Sequence, residues 1–343
     1  MPLPSAGVGR AALGWSTAAA LVVVLSGCRS SSSAGGAPST SGPGHPGRGA
    51  TPVAVRARTQ PCAALSDGTL WCWGNVTLTP SARGAALLPT PVQVDVGGRV
   101  RAFDLAPDVG VAVLEGGELA TWSWSAVGAA IAPRAWRRCD FHEAVDVAID
   151  RDGRAFVRVR DGRLFTWHPT APPTVGGSEC DRSAMTVAPS VTLVTAVACG
   201  ARCCAVHGGG SVTCFDRDLT PHPLPDVTTA LAVSVDDATA LIRLRDGRTL
   251  GASLAQPLGT PPDEVVKPDL LGTPTLDAHA CAVTLDHRAR CQHASDDDWK
   301  LLDRLGADLD QIAMGVHVAC GIDRAKRVVC AQSGAAASVV VAF

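Results

Sequence analysis

Eight of the thirteen cysteines form four couples with the same spacing: Cys62 and Cys72, Cys204 and Cys214, Cys281 and Cys291, Cys320 and Cys330. Thiols in these numbers can ligate zinc, cycle as redox pairs or close disulfides. Zinc sites use cysteines two to four residues apart, which the couples lack. Only Cys199, Cys203, Cys204 and His207 approach that spacing, and structural cysteines are the better reading there too.

Each couple brackets a turn. The first lies in "CAALSDGTLWCWG", Cys62 to Gly74. Take Ser66-Asp67-Gly68 as a three-residue loop with Gly68 left-handed. Leu65 then faces Thr69, and Cys62 falls directly across from Cys72. Opposed residues of an antiparallel pair have Cα atoms ~4.5–5.5 Å apart, within reach of a disulfide. In three related segments both positions change together, to Val111/Thr121, Phe156/Thr166 and Leu241/Gly251. Paired presence and paired absence is what a covalent partnership predicts. Each bond contributes at most about 2.7 kcal/mol, because the loop it closes is short.

The couples belong to a repeat. Hairpin segments begin at Cys62, Val111, Phe156, Cys204, Leu241, Cys281 and Cys320, which are 49, 45, 48, 37, 40 and 39 residues apart. That spacing fits a blade of four short strands. Val145 to His168 shows the pattern best, with turns at Asp152-Gly153 and Asp161-Gly162 separating three strands of period two. "TPVQVDV" (Thr90 to Val96) adds an outer strand, with its proline where a lost donor is harmless. The sequence thus predicts an all-β, seven-bladed β-propeller over residues 51–343. "DDDWKLLDRLGADLDQIA" is the one stretch compatible with a helix, and it suits strand and loop equally. "TPVAVRA" near Thr51 and "SVVVAF" at the end can share the closing blade or belong to separate ones.

Ahead of the repeats, residues 1–27 read as an export signal: a segment ending in Arg10, then the apolar "AALGWSTAAALVVVL". Fifteen residues are short for a membrane span, which needs ~20. Leu25-Ser26-Gly27-Cys28 looks like a bacterial lipobox, which implies lipidation of Cys28 and a new amino terminus there. Arg29 stands where an aspartate would favour retention at the inner membrane, so the outer membrane is expected. Residues 28–50, rich in Ser, Gly and Pro, read as a tether. Export past the inner membrane supplies the oxidising surroundings in which disulfides persist.

With Cys28 and the four couples set aside, Cys139, Cys180, Cys199 and Cys203 remain. Their connectivity is not readable from sequence. Cys139 and Cys180 flank the third hairpin, and Cys199 and Cys203 flank a tight turn; these are the pairings considered.

The "CALxxDGxxxCWG" hairpin, the preceding "VAxG" and the "TPVQV" strand together resemble the regulator of chromosome condensation repeat in its cysteine-bearing bacterial form. The resemblance covers about Thr51 to Phe343, close in the first copy and degenerate in the second, third, fifth and seventh. It implies a seven-bladed β-propeller. The founding member's nucleotide-exchange and nucleosome roles do not carry over to a chain with an export signal and no basic tail. A secreted relative that inhibits β-lactamases shows only that such a propeller can serve as a binding face.

Catalytic constellations are missing: no Gly-x-Ser-x-Gly elbow, no phosphate-cradling loop, and at His142-Glu143 no second histidine. "DRDG" at Asp150 to Gly153 reads as a hairpin turn, not a calcium loop. The net charge of −2 is scattered, which excludes a nucleic-acid stripe. Trp73, Trp122, Trp167 and Phe215 share one repeat position and are assigned to packing between blades. Trp71, Trp124, Trp136 and Trp299 fall outside that register; with Arg137 and Arg138 they are the candidates for an exposed interface. The resulting expectation is a monomeric, lipid-anchored, non-enzymatic scaffold that needs no cofactor or metal and binds a protein or other envelope macromolecule. The alternatives are an envelope hydrolase or lyase with a central-channel site, and a protein inhibitor of an enzyme.

Overall fold

The computed structural model describes residues 49–58, 60–73, 91–107, 109–127, 130–139, 141–169, 185–188, 190–235, 239–254, 261–266, 275–276, 279–293, 300–301, 305–306, 308–315, 318–332 and 338–343. Among them are seven four-stranded antiparallel sheets, each in up-and-down order, and no α-helix.

Blade 1 holds β1 (Pro52–Ala57), β2 (Pro61–Leu65), β3 (Leu70–Cys72) and β4 (Val92–Val94). Blade 2 holds β5 (Val100–Leu105), β6 (Val109–Leu114), β7 (Leu119–Val127) and β8 (Ala130–Cys139). Blade 3 follows with β9 (Ala144–Ile149), β10 (Ala155–Val159), β11 (Leu164–Trp167) and β12 (Thr186–Val187). Blade 4 has β13 (Ala196–Cys199), β14 (Cys203–His207), β15 (Ser211–Phe215) and β16 (Pro221–Pro223). Blade 5 has β17 (Ala230–Val235), β18 (Thr239–Leu244), β19 (Thr249–Ser253) and β20 (Asp263–Val266). In blade 6 come β21 (Thr275–Leu276), β22 (His279–Val283), β23 (Ala289–His293) and β24 (Lys300–Leu301). Blade 7 ends the chain with β25 (Leu309–Met314), β26 (Val318–Asp323), β27 (Val328–Gln332) and β28 (Val339–Val341). The stretch compatible with a helix therefore supplies β24 and β25.

The first strand of each blade packs on the first strand of the next, from β1 on β5 to β21 on β25, and β25 and β26 return to β1. The seven sheets thus close a ring around their first strands. The terminal strands do not share a sheet, since β1 belongs to blade 1 and β28 to blade 7. Packing seals the joint among the described residues: Val55, Ala57 and Trp73 pack with Ala313, Ile322 and Val341.

The Asp-Gly turns do two jobs. Asp67 accepts the Thr69 N–H at 3.0 Å through its side chain, as Asp161 and Asp246 do for Arg163 and Arg248. The glycine takes φ of +83° at both Gly68 and Gly162. Its carbonyl then receives the chain where it enters the following blade: Val100 N–H donates to Gly68 O at 2.8 Å, and Val194 N–H to Gly162 O at 2.8 Å. A Cβ on Gly68 would lie 2.5 Å from the Arg99 Cβ, so the next blade rests directly on the turn. These turns make up one face of the ring, the turn face. The β9–β10, β13–β14 and β15–β16 connections lie on the opposite one, the loop face.

Candidate functional site

The four cysteine couples lie across neighbouring strands: Cys62 opposite Cys72, Cys204 opposite Cys214, Cys281 opposite Cys291 and Cys320 opposite Cys330. All four are disulfides, with Cα separations of 3.9–4.1 Å. In blade 1 the flanking hydrogen bonds run from Trp73 N to Pro61 O and from Leu65 N to Thr69 O, so Cys62 and Cys72 form the closer, non-hydrogen-bonded kind of pair. A fifth disulfide joins Cys199 to Cys203 around the β13–β14 turn. With those sulfurs bonded and His207 Nε2 2.8 Å from Thr213 Oγ1, no zinc set assembles there. Cys139 flanks the third hairpin as the last residue of β8, paired with Leu119; Cys180 and Cys28 lie outside the described residues.

The repeat carries a further relationship that spacing alone did not reveal. Cysteine and aromatic positions are adjacent in sequence, as in Cys72-Trp73, so they face opposite sides of the blade. The Cys62–Cys72 bridge packs beside Trp122 of blade 2, and the Cys320–Cys330 bridge beside Trp73 of blade 1. Where blade 3 lacks the bridge, Phe156 fills the space against Phe215 of blade 4, ring centroids 5.8 Å apart. The disulfides are thus part of the packing between blades. Trp71, a candidate for exposure, is instead buried at 6% exposed, with its Nε1–H donating to Thr69 Oγ1 at 2.9 Å. The side chains of Trp124, Trp136, Arg137 and Arg138, and the whole of Trp299, lie outside the described residues.

At the ring axis the first strands carry charge inside the protein. Arg58 follows β1 and is 2% exposed, yet its Nη2 donates to Cys199 O of blade 4 at 2.9 Å and to Ile149 O of blade 3 at 3.5 Å. Blades 1 and 4 are not neighbours, so this side chain crosses the axis at the loop face. Around it, Arg56 Nε lies 4.0 Å from Asp104 Oδ1, and Arg158 Nη2 3.6 Å from Asp146 Oδ2. Ile149 N–H donates to Asp104 Oδ2 at 2.9 Å, and Val147 N–H to Asp146 Oδ1 at 3.0 Å. Burial raises the pKa of both Asp104 and Asp146, with the neighbouring arginines opposing that shift, and burial lowers that of Arg56. Two carboxylates do meet near the axis. They face inward to arginines and backbone amides, as a buried ionic brace does.

Polar groups that solvent can reach converge elsewhere on the loop face. Between blades 3 and 4 an open cleft of about 490 Å³ is lined by Ala201, Arg202, Asp216, Arg217 and Asp218. His222 Nε2 is 2.7 Å from Asp216 Oδ2, and Arg202 Nη1 is 4.0 Å from Asp216 Oδ1. Arg217 pairs with Asp152 at 3.4 Å, and Arg154 donates to Arg217 O at 2.6 Å. The "DRDG" turn thus lies against Arg217 at the edge of the cleft, with Asp150 Oδ1 accepting the Arg154 N–H at 2.7 Å. Among the described residues no group of three or more metal-ligating side chains is present. The cleft offers fixed charges of both signs, a lining suited to a polar macromolecular surface. Its lining comes from two connections of blade 4, β13–β14 and β15–β16, and no local motif announces it.

No protein-family model matches the chain, and no curated protein matches it. Solved structures do. The Cps50 (Swd1) β-propeller domain of Myceliophteria thermophila aligns with a TM-score of 0.52 at 11% identity, covering 82% of this chain and 97% of that one. The chain folds as a β-propeller. Human WBSCR16 also aligns at 0.52, with 9% identity over 75% of this chain and 85% of that one. Yeast RCC1 (Prp20), solved bound to Kap60, covers 85% of this chain and 75% of its own at 14% identity, but its TM-score of 0.44 adds no weight. At these identities the likeness concerns the propeller fold alone.

Proposed function

We propose that this propeller is a lipid-anchored, non-enzymatic scaffold of the cell envelope that binds another macromolecule through its loop face. The observation that carries the reading is the division of polar groups. Asp104 and Asp146 are sealed within the axis, while Arg202, Asp216, Arg217 and Asp218 line an open cleft. The sequence supplies the setting: signal over 1–27, lipidation at Cys28, tether over 28–50, and Arg29 directing the protein to the outer membrane. Five disulfides among the described residues suit an oxidising, extracytoplasmic compartment. The repeat's resemblance to the regulator of chromosome condensation family belongs to the same reading.

Cross-linking in the native cell, followed by recovery of the protein with its partner, tests it. Arg202→Glu with Arg217→Glu is expected to abolish recovery of the partner without unfolding the ring, since both side chains are at the surface. Recovery of no partner, combined with turnover of a substrate by the purified protein, would overturn the reading. The Asp216–His222 pair favours a second, enzymatic reading, because a carboxylate that orients a histidine is the arrangement general-base chemistry uses. Loss of any measured turnover in His222→Gln, with binding intact, would establish that alternative.

A further inference from the structure

The turn face exposes apolar side chains, and the described chain enters the ring from it. Eight large apolar side chains among the described residues are exposed. Val92, Val187, Val339 and Val340 sit on the outer strands β4, β12 and β28. The other four, Val53, Leu193, Leu231 and Leu285, belong to the turn face. Val53 and Leu231 stand at β-bulges where β1 and β17 begin, beside their blades' hairpin turns. Leu285 lies in the β22–β23 turn.

Leu193 is the most exposed of them, at 63%, and its backbone is left-handed at φ +55°. Gly or Asn relieves that conformation and leucine does not, so the scaffold holds an apolar side chain outward at a conformational cost. The turn face also carries the entry of the chain. Thr51, just before β1, is held by its N–H donating to Ser66 Oγ at 3.0 Å in the first turn. Cys28 is 23 residues earlier (51 − 28), a span of at most about 80 Å.

We propose that the turn face docks on a lipid surface, with Leu193, Leu231, Leu285 and Val53 as its apolar contacts, so that the cleft of blades 3 and 4 looks away from the membrane. The proposal rests on the anchoring reading only for what brings the propeller to a bilayer. An anchored propeller meets the bilayer at high effective concentration, so a few inserted side chains suffice for contact. Four cations on this face are held in ion pairs, Arg99 with Glu115 at 2.9 Å, Arg163 with Asp161 at 2.6 Å, Arg248 with Asp246 at 2.8 Å and Lys326 with Asp310 at 2.6 Å, while Arg101, Arg160 and Arg324 are exposed beside them. The contacts proposed are the apolar ones, so with the chain held at the bilayer salt leaves their protection unchanged.

The test holds the full-length Cys28→Ser chain, carrying an amino-terminal hexahistidine tag, on phosphatidylethanolamine–phosphatidylglycerol vesicles doped with a nickel-chelating lipid. Hydroxyl-radical footprinting is read before and after capture. Oxidation of Leu193, Leu231 and Leu285 is expected to fall several-fold on capture, at low and high salt alike, with His222 unchanged. The variant Leu193→Asn/Leu231→Ser/Leu285→Ser is captured equally and loses the protection of Val53. Unchanged leucine oxidation overturns the proposal, as does protection of the cleft instead, protection lost in salt, or a copurifying protein covering the leucines before capture. Mass spectrometry of the wild-type amino-terminal peptide reads lipidation separately, so an unlipidated Cys28 sinks the anchor and leaves the docking result standing.

Discussion

Trp73 of the first blade and Phe343 at the end of the chain meet edge to face, their ring centroids 5.7 Å apart at an interplanar angle of 75°. Trp71 approaches the same phenylalanine at 6.3 Å. Because no strand crosses from one end of the chain into the other end's sheet, these contacts and the buried cluster beneath them hold the ring shut. Phe343→Ala is expected to cost about 2–3 kcal/mol. Hydrogen exchange should show β1 and β25–β28 losing protection before blades 3 and 4; uniform loss across all blades would contradict a seal at this joint.

Gly68 and Gly97 separate conformational cost from contact. Both have positive φ, but a Cβ on Gly97 meets nothing within 4 Å, whereas one on Gly68 strikes Arg99. Gly97→Ala should cost about 1 kcal/mol and Gly68→Ala clearly more, since only the latter pushes blade 2 off its turn. Urea denaturation midpoints compare them directly.

Cys203 and Cys204 are neighbours, yet they bond in opposite directions, to Cys199 and Cys214. Mass spectrometry of unreduced peptides should find those two links, and a bond from Cys203 to Cys214 would refute the strand register of blade 4. Cys204→Ser with Cys214→Ser is expected to lower stability by up to about 2.7 kcal/mol.

Arg58→Met removes the cation whose guanidinium spans the axis and leaves Cys199 O and Asp104 without it. Breaking such a buried set from one side costs about 3–5 kcal/mol. Arg58→Lys, which keeps the charge but not the forked geometry, should recover part of that loss in thermal denaturation.

His207 has its pKa lowered by burial from the ordinary 6.5. The fold thus favours the neutral ring, and below 6.5 the unfolded chain takes up the proton more readily than the folded one. Stability contributed by His207 is present at neutral pH and is lost as pH falls through that window. His207→Gln should flatten this part of the stability–pH curve, measured by urea unfolding on either side of 6.5.

What the sequence by itself determined is local and periodic. The nine-residue gap, the Asp-Gly turn and the alternation of apolar residues are short-range facts, and they specify which cysteines oppose one another and how many hairpins the chain makes. They also place Trp73, Trp122, Trp167 and Phe215 in the joints between blades. Only the tertiary structure decided that the bridge of one blade packs on the aromatic of the next and that the ends meet without exchanging a strand. It also decided that Trp71 is covered and that Arg58 reaches blades 3 and 4. Those depend on where seven sheets stand around one axis, and no pattern confined to a single blade carries that information. The cleft shows the same limit: strand pairing within blade 4 brings Arg202 to Asp216, but only the stacking of blade 4 on blade 3 brings Asp152 to Arg217.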